Sequence, residues 1–328
     1  MRASVDLAEA VVAAHRQIEP WVRRTRLERS AIYSDMTGTN VFFKYENLQH
    51  TGSFKLRGAT NWLLSLPPEQ QVRQIVTAST GNHGKAVAYA AGQLSSTAVV
   101  FAPKNSDAAK LNSIRALGAE IRFAGTDCVE AEKAAREFAA GRNAAYVSPY
   151  NDWSVIAGQG VVGLEICEQL DQVDGVIASL GGGGLVSGIA GFVKTQFPDC
   201  KIVGCSPKNS SVMIDSLAAG ELLDLPSTDT LSDGTAGGVE NDSITFELCR
   251  QLIDKTVSVS EDDIRDSLCN FVETHGMLIE GAAAVSIAGL LKTRNMFSGK
   301  NVVVVLCGAN IALDKLAGAI QQRQVRLH

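Results

Sequence analysis

"SLGGGGLVSGIAGF", residues 179–192, sets four consecutive glycines between a strand-like run and a helix-like run. The run that leads into it, "GVIASL" (175–180), is apolar and partly β-branched, as a buried strand requires, and "SGIAGFVKTQF" (187–197) has helical spacing. Four residues without side chains cost much backbone entropy, which argues that something approaches the main chain closely. Free N–H groups at a helix N-terminus, helped by the helix dipole, suit an anion, so the stretch reads as a phosphate cradle. The plainer reading is a glycine turn chosen for tight packing. The stretch lacks the Lys-Ser/Thr ending of a nucleotide-hydrolysing P-loop, and its spacing is not G-x-G-x-x-G. Phosphorylated cofactors other than nucleoside triphosphates and dinucleotides are therefore expected.

Outward from this stretch, strand-like and helix-like runs alternate. "VFFKYE" (41–46), "QIVTAS" (74–79), "TAVVFA" (97–102) and "EIRFAG" (120–125) read as strands, with "HGKAVAYAAGQL", "DAAKLNSIRALG" and "CVEAEKAAREFAAG" as helices. "KIVGCS" (201–206), "KTVSVS" (255–260) and "NVVVVLC" (301–307) continue the pattern beyond the glycines. The alternation predicts an α/β protein of two domains, each a mostly parallel twisted sheet covered by helices. Pro149 and Asn151 interrupt it in "YVSPYND" (146–152), where a boundary is expected.

Composition narrows the function classes. With 328 residues, 45% of them hydrophobic and 20% charged, the chain can bury a sizeable core, and a small binding module is not expected. A net charge of −5 and a pI near 5.6 give no footprint for nucleic acid or an anionic membrane, which leaves small molecules as partners. The seven cysteines include no C-x-x-C pair, so neither a zinc site nor a disulfide framework is expected, and a reducing cytoplasm fits. "MRASVDLAEAVVAAHRQIEP" carries acids at helical spacing, unlike a signal peptide, and no apolar run is long enough to span a bilayer.

Two further stretches carry chemistry. In "TASTGNHGKAVAYAA" (77–91) a strand ends in Ser79, Thr80, Gly81 and Asn82 before a helix, an arrangement suited to a carboxylate. Its bland reading makes Ser79 or Thr80 an N-cap and His83 a structural hydrogen-bonding residue. "TGSFKLRGA" (51–59) puts Lys55 after an aromatic ring at the start of a helix. Desolvation beside that ring would lower the amine's pKa and make it chemically useful, whereas a surface lysine would keep its proton.

Together these stretches resemble the pyridoxal-phosphate-dependent serine/threonine dehydratase family, in the tryptophan-synthase-β-like fold group that also holds serine racemases. The resemblance runs from "ENLQHTGSFKLRGA" through "SPYNDWSVIAGQG" and "GGGGLVSG" to "IEGAAAV" and "LCGAN", and a phenylserine dehydratase-like member falls within it. It implies a large domain of residues 1–51 and 147–328 that binds pyridoxal 5'-phosphate and a small substrate-side domain of residues 52–146. It makes Lys55 the catalytic Schiff-base lysine, lays Phe54 against the pyridine ring and sets Asn82 on the ring's 3-hydroxyl. Gly181, Gly182, Gly183 and Gly184 with Leu185 would hold the phosphate, and Gly234 and Glu280 would line the cofactor. Cys307 would face the pyridine nitrogen, where a neutral partner holds no proton and so favours β-elimination over transamination. Taken alone, Cys307 reads as an inert buried thiol. Ser79, Thr80, Gly81 and Asn82 would bind the substrate, with Tyr150 near its side chain.

The activity so implied is a cytoplasmic, catabolic dehydratase (ammonia-lyase) that removes water from a β-hydroxy-α-amino acid to give a 2-oxo acid and ammonia, working as a homodimer or homotetramer. Serine, threonine, threo-3-hydroxyaspartate and 3-phenylserine stay open as substrates, with a tilt toward phenylserine. A serine-type racemase is the enzymatic rival, weakened because racemases of the family keep a serine where this chain has Thr80. A non-catalytic amino-acid-binding regulator is the rival from another class, and a dehydrogenase is weaker still. The chain ends at "QQRQVRLH" soon after its last strand, so a C-terminal regulatory domain and feedback inhibition are not expected. In "GCSPKNSSVMIDS" (204–216), Ser206 and Val212 stand where metal-dependent relatives have acids. No divalent metal is expected there, and Lys208 is expected to act as a built-in cation in its stead, with an exposed, solvated lysine on a surface loop as the equal alternative.

Overall fold

A computed structural model describes residues 2–67, 74–142 and 144–327. Among them are ten strands: β1 (Leu27–Arg29), β2 (Asn40–Lys44), β3 (Gln74–Ala78), β4 (Thr97–Ala102), β5 (Glu120–Phe123), β6 (Ala144–Tyr146), β7 (Gly175–Ser179), β8 (Lys201–Pro207), β9 (Lys255–Val259) and β10 (Asn301–Val305). Six form one sheet in the order β1-β2-β10-β7-β8-β9, and four form a second in the order β5-β4-β3-β6. Every pairing is parallel except β1 with β2. Strands buried on both faces read as continuous apolar runs, which is why "GVIAS" and "NVVVV" stand out in the sequence. The three-residue strands β1 and β6 were not foreseen, being too short to show a period.

The order places β7 and β10 side by side in the middle of the larger sheet, with Val302 to Val304 in register with Gly175 to Ile177. The glycines after β7 and the "LCGAN" segment after β10 therefore leave the sheet at the same end, the usual position of a ligand crevice in an open parallel sheet. A second strand-to-helix turn, after β3, leads into the helix Asn82–Gln93.

The helix Lys55–Ser65 lies at the seam between the sheets. Its Leu56, Ala59 and Leu63 pack in one core with Ile75 and Val100 of the smaller sheet. Its Arg57 reaches the other way and is fully buried. The guanidinium donates to Glu46 at 2.8 Å and to Glu165 at 2.6 Å, and Lys44 donates to the same Glu165 at 2.6 Å. Burial alone would raise the Glu165 pKa, but the two cations overcome it and hold the carboxyl below its ordinary value. Removing one member would leave a buried charge unpaired, a loss of about 3–5 kcal/mol. The helix that begins with Lys55 is thus tied to the larger sheet two residues past the lysine. No described helix is long and apolar enough to cross a membrane.

Candidate active site

The turn after β7 is held from its outer side. Gly183 has φ +87°, and a Cβ there would lie 2.8 Å from Cys249 Sγ. A Cβ on Gly182 would lie 2.5 Å from the Tyr150 ring. Both positions therefore require glycine. Thr245 Oγ1 donates to the Gly182 carbonyl at 2.6 Å and Ser187 Oγ to the Gly183 carbonyl at 2.8 Å. The helix Gly184–Gln196 starts at once with no side-chain cap, so its first N–H groups remain available to an anion.

Lys55 opens its helix directly after Phe54, whose N–H donates to the Cys307 carbonyl at 3.1 Å. An isolated antiparallel bridge between Ser53 and Gly308 adds to this stitch. Lys55 Nζ lies 5.2 Å from the centre of the Phe54 ring and donates to the Pro149 carbonyl at 2.7 Å. Burial lowers its pKa to about 8, against the pull of Cys307 and Glu280. A larger fraction of free amine is therefore present near neutrality than an exposed lysine would show. Burial pushes the Cys307 thiol upward, so it is neutral there.

Glu280 is buried, and burial raises its pKa to about 7 although two donors work against the rise. Asn82 Nδ2 lies 2.8 and 3.0 Å from its two oxygens, and the Asn310 N–H donates to Oε2 at 3.0 Å. Phe54, Lys55, Asn82, Gly181, Gly182, Gly183, Gly184, Leu185, Gly234, Glu280 and Cys307 line one cavity, together with Tyr150. Every residue expected around a cofactor is brought to it.

A neighbouring cavity of about 380 Å³ is lined by Ser79, Thr80, Gly81 and Asn82, and Lys55 and Tyr150 face both spaces. The plain alternative for Ser79 and Thr80 does not hold: Gly81 is the cap, and neither residue caps the helix. His83 is buried against the Val147 carbonyl at 3.3 Å, and burial lowers its pKa to about 3, in keeping with a structural role. The Tyr150 ring lies on the glycine turn and its hydroxyl accepts from the Glu240 N–H at 2.9 Å, a tie the sequence did not suggest.

The expectation for Lys208 is corrected. Its side chain is exposed and makes no hydrogen bond or ion pair among the described residues. Ser206 instead donates to the Leu180 carbonyl at 2.5 Å, so a buried hydroxyl, not an ammonium, serves the main chain just before the glycines. Val212 opens the helix Val212–Ala219 as a buried apolar residue. No cluster of His, Cys, Asp or Glu among the described residues could hold a metal.

Sequence reasoning missed four residues around these cavities. Lys110 and Asp233 form an ion pair of 2.6 Å on the wall of the second cavity. Asn310 and Lys85 lie behind Asn82. Asn310 ends the "LCGAN" motif and Lys85 follows Asn82 by one helical turn, which are the signals that were present.

Comparison with known proteins agrees with this geometry. The family model described as pyridoxal-phosphate dependent enzyme matches residues 18–308. The chain belongs to that family. An L-threonine ammonia-lyase of Thermotoga maritima is 37% identical over 97% of this chain and 79% of its own length. The catabolic L-threonine dehydratase of Escherichia coli is 33% identical over 97% of this chain and 98% of its own. Among solved structures, the processed form of threonine deaminase isoform 2 from Solanum lycopersicum superposes with a TM-score of 0.94 at 31% identity, covering 99% of this chain and 89% of that one. A maize serine racemase superposes with a TM-score of 0.89 at 30% identity, covering 98% of each chain.

The residues present fit the cofactor. The glycine turn would be filled by a Cβ at Gly182 or Gly183, and an amine of lowered pKa stands in the same cavity as a helix N-terminus suited to phosphate. The enzyme is a pyridoxal-phosphate-dependent one, with the α/β fold of its relatives.

Proposed function

We propose that the enzyme is a hydroxy-amino-acid dehydratase that acts on L-threonine, and on L-serine by the same route, to give a 2-oxo acid and ammonia. The observation that carries this reading is the Lys55 amine, with its pKa lowered to about 8, in one cavity with the glycine turn and open to a second cavity. The L-threonine ammonia-lyase and L-threonine dehydratase named above among its relatives supply the substrate. The bound cofactor supplies an electron sink for the charge left when a substrate Cα loses its proton.

The chain's own residues have the following parts in this reading. The N–H groups of Gly181 to Leu185 would take the phosphate, Phe54 would support the ring and Asn82 would donate to the ring oxygen. Gly234 and Glu280 close the cavity around them. Ser79, Thr80 and Gly81 present hydroxyls and N–H groups to the substrate carboxylate. Lys55, as free amine, takes the Cα proton as general base. Cys307, a neutral thiol, leaves the ring nitrogen without a proton and so favours elimination. Loss of the 3-hydroxyl as water yields an enamine, and its hydrolysis gives the 2-oxo acid and ammonia.

The Lys110–Asp233 pair bears on the substrate. Apart from Lys55, Lys110 is the lysine among the described residues lining that cavity, and Asp233 already neutralises it at 2.6 Å, which disfavours threo-3-hydroxyaspartate. Tyr150 is committed to the glycine turn and to Glu240, which weakens the case for 3-phenylserine. Residues 52–146 form the substrate-side domain in this proposal, and residues 1–51 with 147–328 the cofactor domain. A cytoplasmic location, in keeping with seven free cysteines, and assembly as a homodimer or homotetramer belong to the same reading.

Steady-state formation of 2-oxo acid from L-threonine, L-serine, threo-3-hydroxyaspartate and 3-phenylserine tests it. Turnover of L-threonine ahead of the last two is expected, and holoenzyme that forms no 2-oxo acid from any of the four would overturn it. Racemisation is the second reading, favoured by the superposition on the maize serine racemase. Chiral analysis of the serine left in the same assays decides it, and unchanged L-serine is expected.

A further inference from the structure

The side-chain amides of Asn82 and Asn310 form a hydrogen-bonded chain that starts from Lys85 and ends on Glu280. Lys85 Nζ lies 2.9 Å from Asn310 Oδ1. Asn310 Nδ2 lies 2.9 Å from the Thr51 carbonyl oxygen and 2.6 Å from Asn82 Oδ1. Asn82 Nδ2 lies 2.8 and 3.0 Å from the two Glu280 oxygens.

An amide can exchange its oxygen and nitrogen with almost no change of shape, so only the polarity of its neighbours decides which way it points. An ammonium can only donate, and a carbonyl oxygen can only accept. Lys85 therefore requires an oxygen on its side of Asn310, and Thr51 requires a nitrogen on the other. The Asn310 nitrogen then requires the Asn82 oxygen, which leaves the Asn82 nitrogen facing Glu280 and the cofactor cavity. Asn82 and Lys85 sit three residues apart on one face of the helix Asn82–Gln93, so a single helix carries both the first member of the chain and the amide it orients.

We propose that Lys85 is a positioning residue that, through Asn310, fixes the Asn82 amide with its N–H groups toward the cofactor cavity. The proposal rests on the assignment of Asn82 to the cofactor made above. Lys85 does not line either cavity; among the described residues its ammonium donates to Asn310, and it meets Glu280 only through charge. A packing role would tolerate any side chain of similar length, whereas polarity control tolerates only donors.

The test uses holoenzyme of Lys85→Gln, Lys85→Glu and Asn82→Ala, with two readouts apart from turnover: the rate at which bound cofactor is released on dilution, and its absorbance maximum. Lys85→Gln can still donate and is expected to release cofactor within about twofold of the wild type. Lys85→Glu turns an acceptor on the Asn310 oxygen and is expected to release it at least about tenfold faster, with a shifted maximum. Should Lys85→Glu not fold, Lys85→Met, which has no donor, takes its place and must shift the same way. Equal values for Lys85→Gln and Lys85→Glu, whether as the wild type or uniformly worse, overturn the proposal. If Asn82→Ala itself leaves both readouts unchanged, the assignment of Asn82 fails and the proposal falls with it; if Asn82→Ala alters them and the Lys85 series does not, only the polarity chain is wrong.

Discussion

The chain uses the same device twice, a strand ending in a short turn and then a helix N-terminus, and the two copies are built to opposite tolerances. After β7, Gly183 and Gly184 are buried, and the Gly182 and Gly183 carbonyls are each occupied by a hydroxyl. After β3, Ser79, Thr80 and Gly81 are only half-buried, and a Cβ on Gly81 would meet nothing within 4 Å. In the reading proposed above, the first turn is preorganised for a group that stays and the second is left open for one that comes and goes. The difference teaches that a helix N-terminus alone does not distinguish a cofactor cradle from a substrate site. What distinguishes them is how much of the surrounding structure is fixed against the turn.

Substitutions at matched positions break or sharpen this contrast. Gly183→Ala should have the largest effect: the positive φ and the approach of Cys249 together cost about 2–4 kcal/mol, seen as cofactor binding weaker by about a hundredfold. Cofactor binding equal to the wild type would show the first turn to be as loose as the second. Between the two sites, Glu280 should make stability depend on pH. Its folded pKa is raised from 4.5 to about 7, so the folded apoprotein holds a proton that the unfolded chain has lost, and its contribution is full below pH 4.5 and lost as pH rises through about 7. Glu280→Gln should flatten that slope in apoprotein melting measured across the window, and an unchanged slope would remove Glu280 as its source.

Smaller effects are expected at the second turn. Thr80→Ala should keep the dehydratase rate within about threefold, because Lys55 carries the proton transfer. A collapse of kcat with unchanged KM would make Thr80 a proton-transfer group and revive the racemase reading. Gly81→Ala should cost far less stability in thermal melting than Gly183→Ala, since its φ is negative and a Cβ there would meet nothing within 4 Å. A loss as large as that of Gly183→Ala would erase the contrast.

The fold was legible where strands are buried on both faces, because burial forces continuous apolar runs such as "GVIAS" and "NVVVV". The candidate cofactor cavity was legible because its glycines and its lysine form one pattern with a shared chemical reading, although packing against Tyr150 and Cys249 by itself also requires Gly182 and Gly183. What escaped is set by tertiary contact alone. Nothing local in "LCGAN" says that Asn310 turns back to Asn82, and nothing in "GNHGK" says that Lys85 meets it. Lys208 was misread for the opposite reason: a charge in a short loop has no local feature that separates a buried cation from a solvated one, and it is exposed. Propensity alone made a cap at Ser79 or Thr80 the plain alternative to a substrate role, and the geometry gives the cap to Gly81 instead.

The central claim is that Lys55 is the amine that binds the cofactor covalently and that burial readies it. The most direct measurement mixes apoprotein with pyridoxal 5'-phosphate at a series of pH values, traps the product with borohydride and locates the adduct by peptide mass spectrometry. The account predicts a single adduct on Lys55, absent in Lys55→Ala, with a capture rate that rises through a midpoint near pH 8 as the amine loses its proton. An adduct on another lysine, or a midpoint near the value of an exposed lysine at about 10.4, would contradict it.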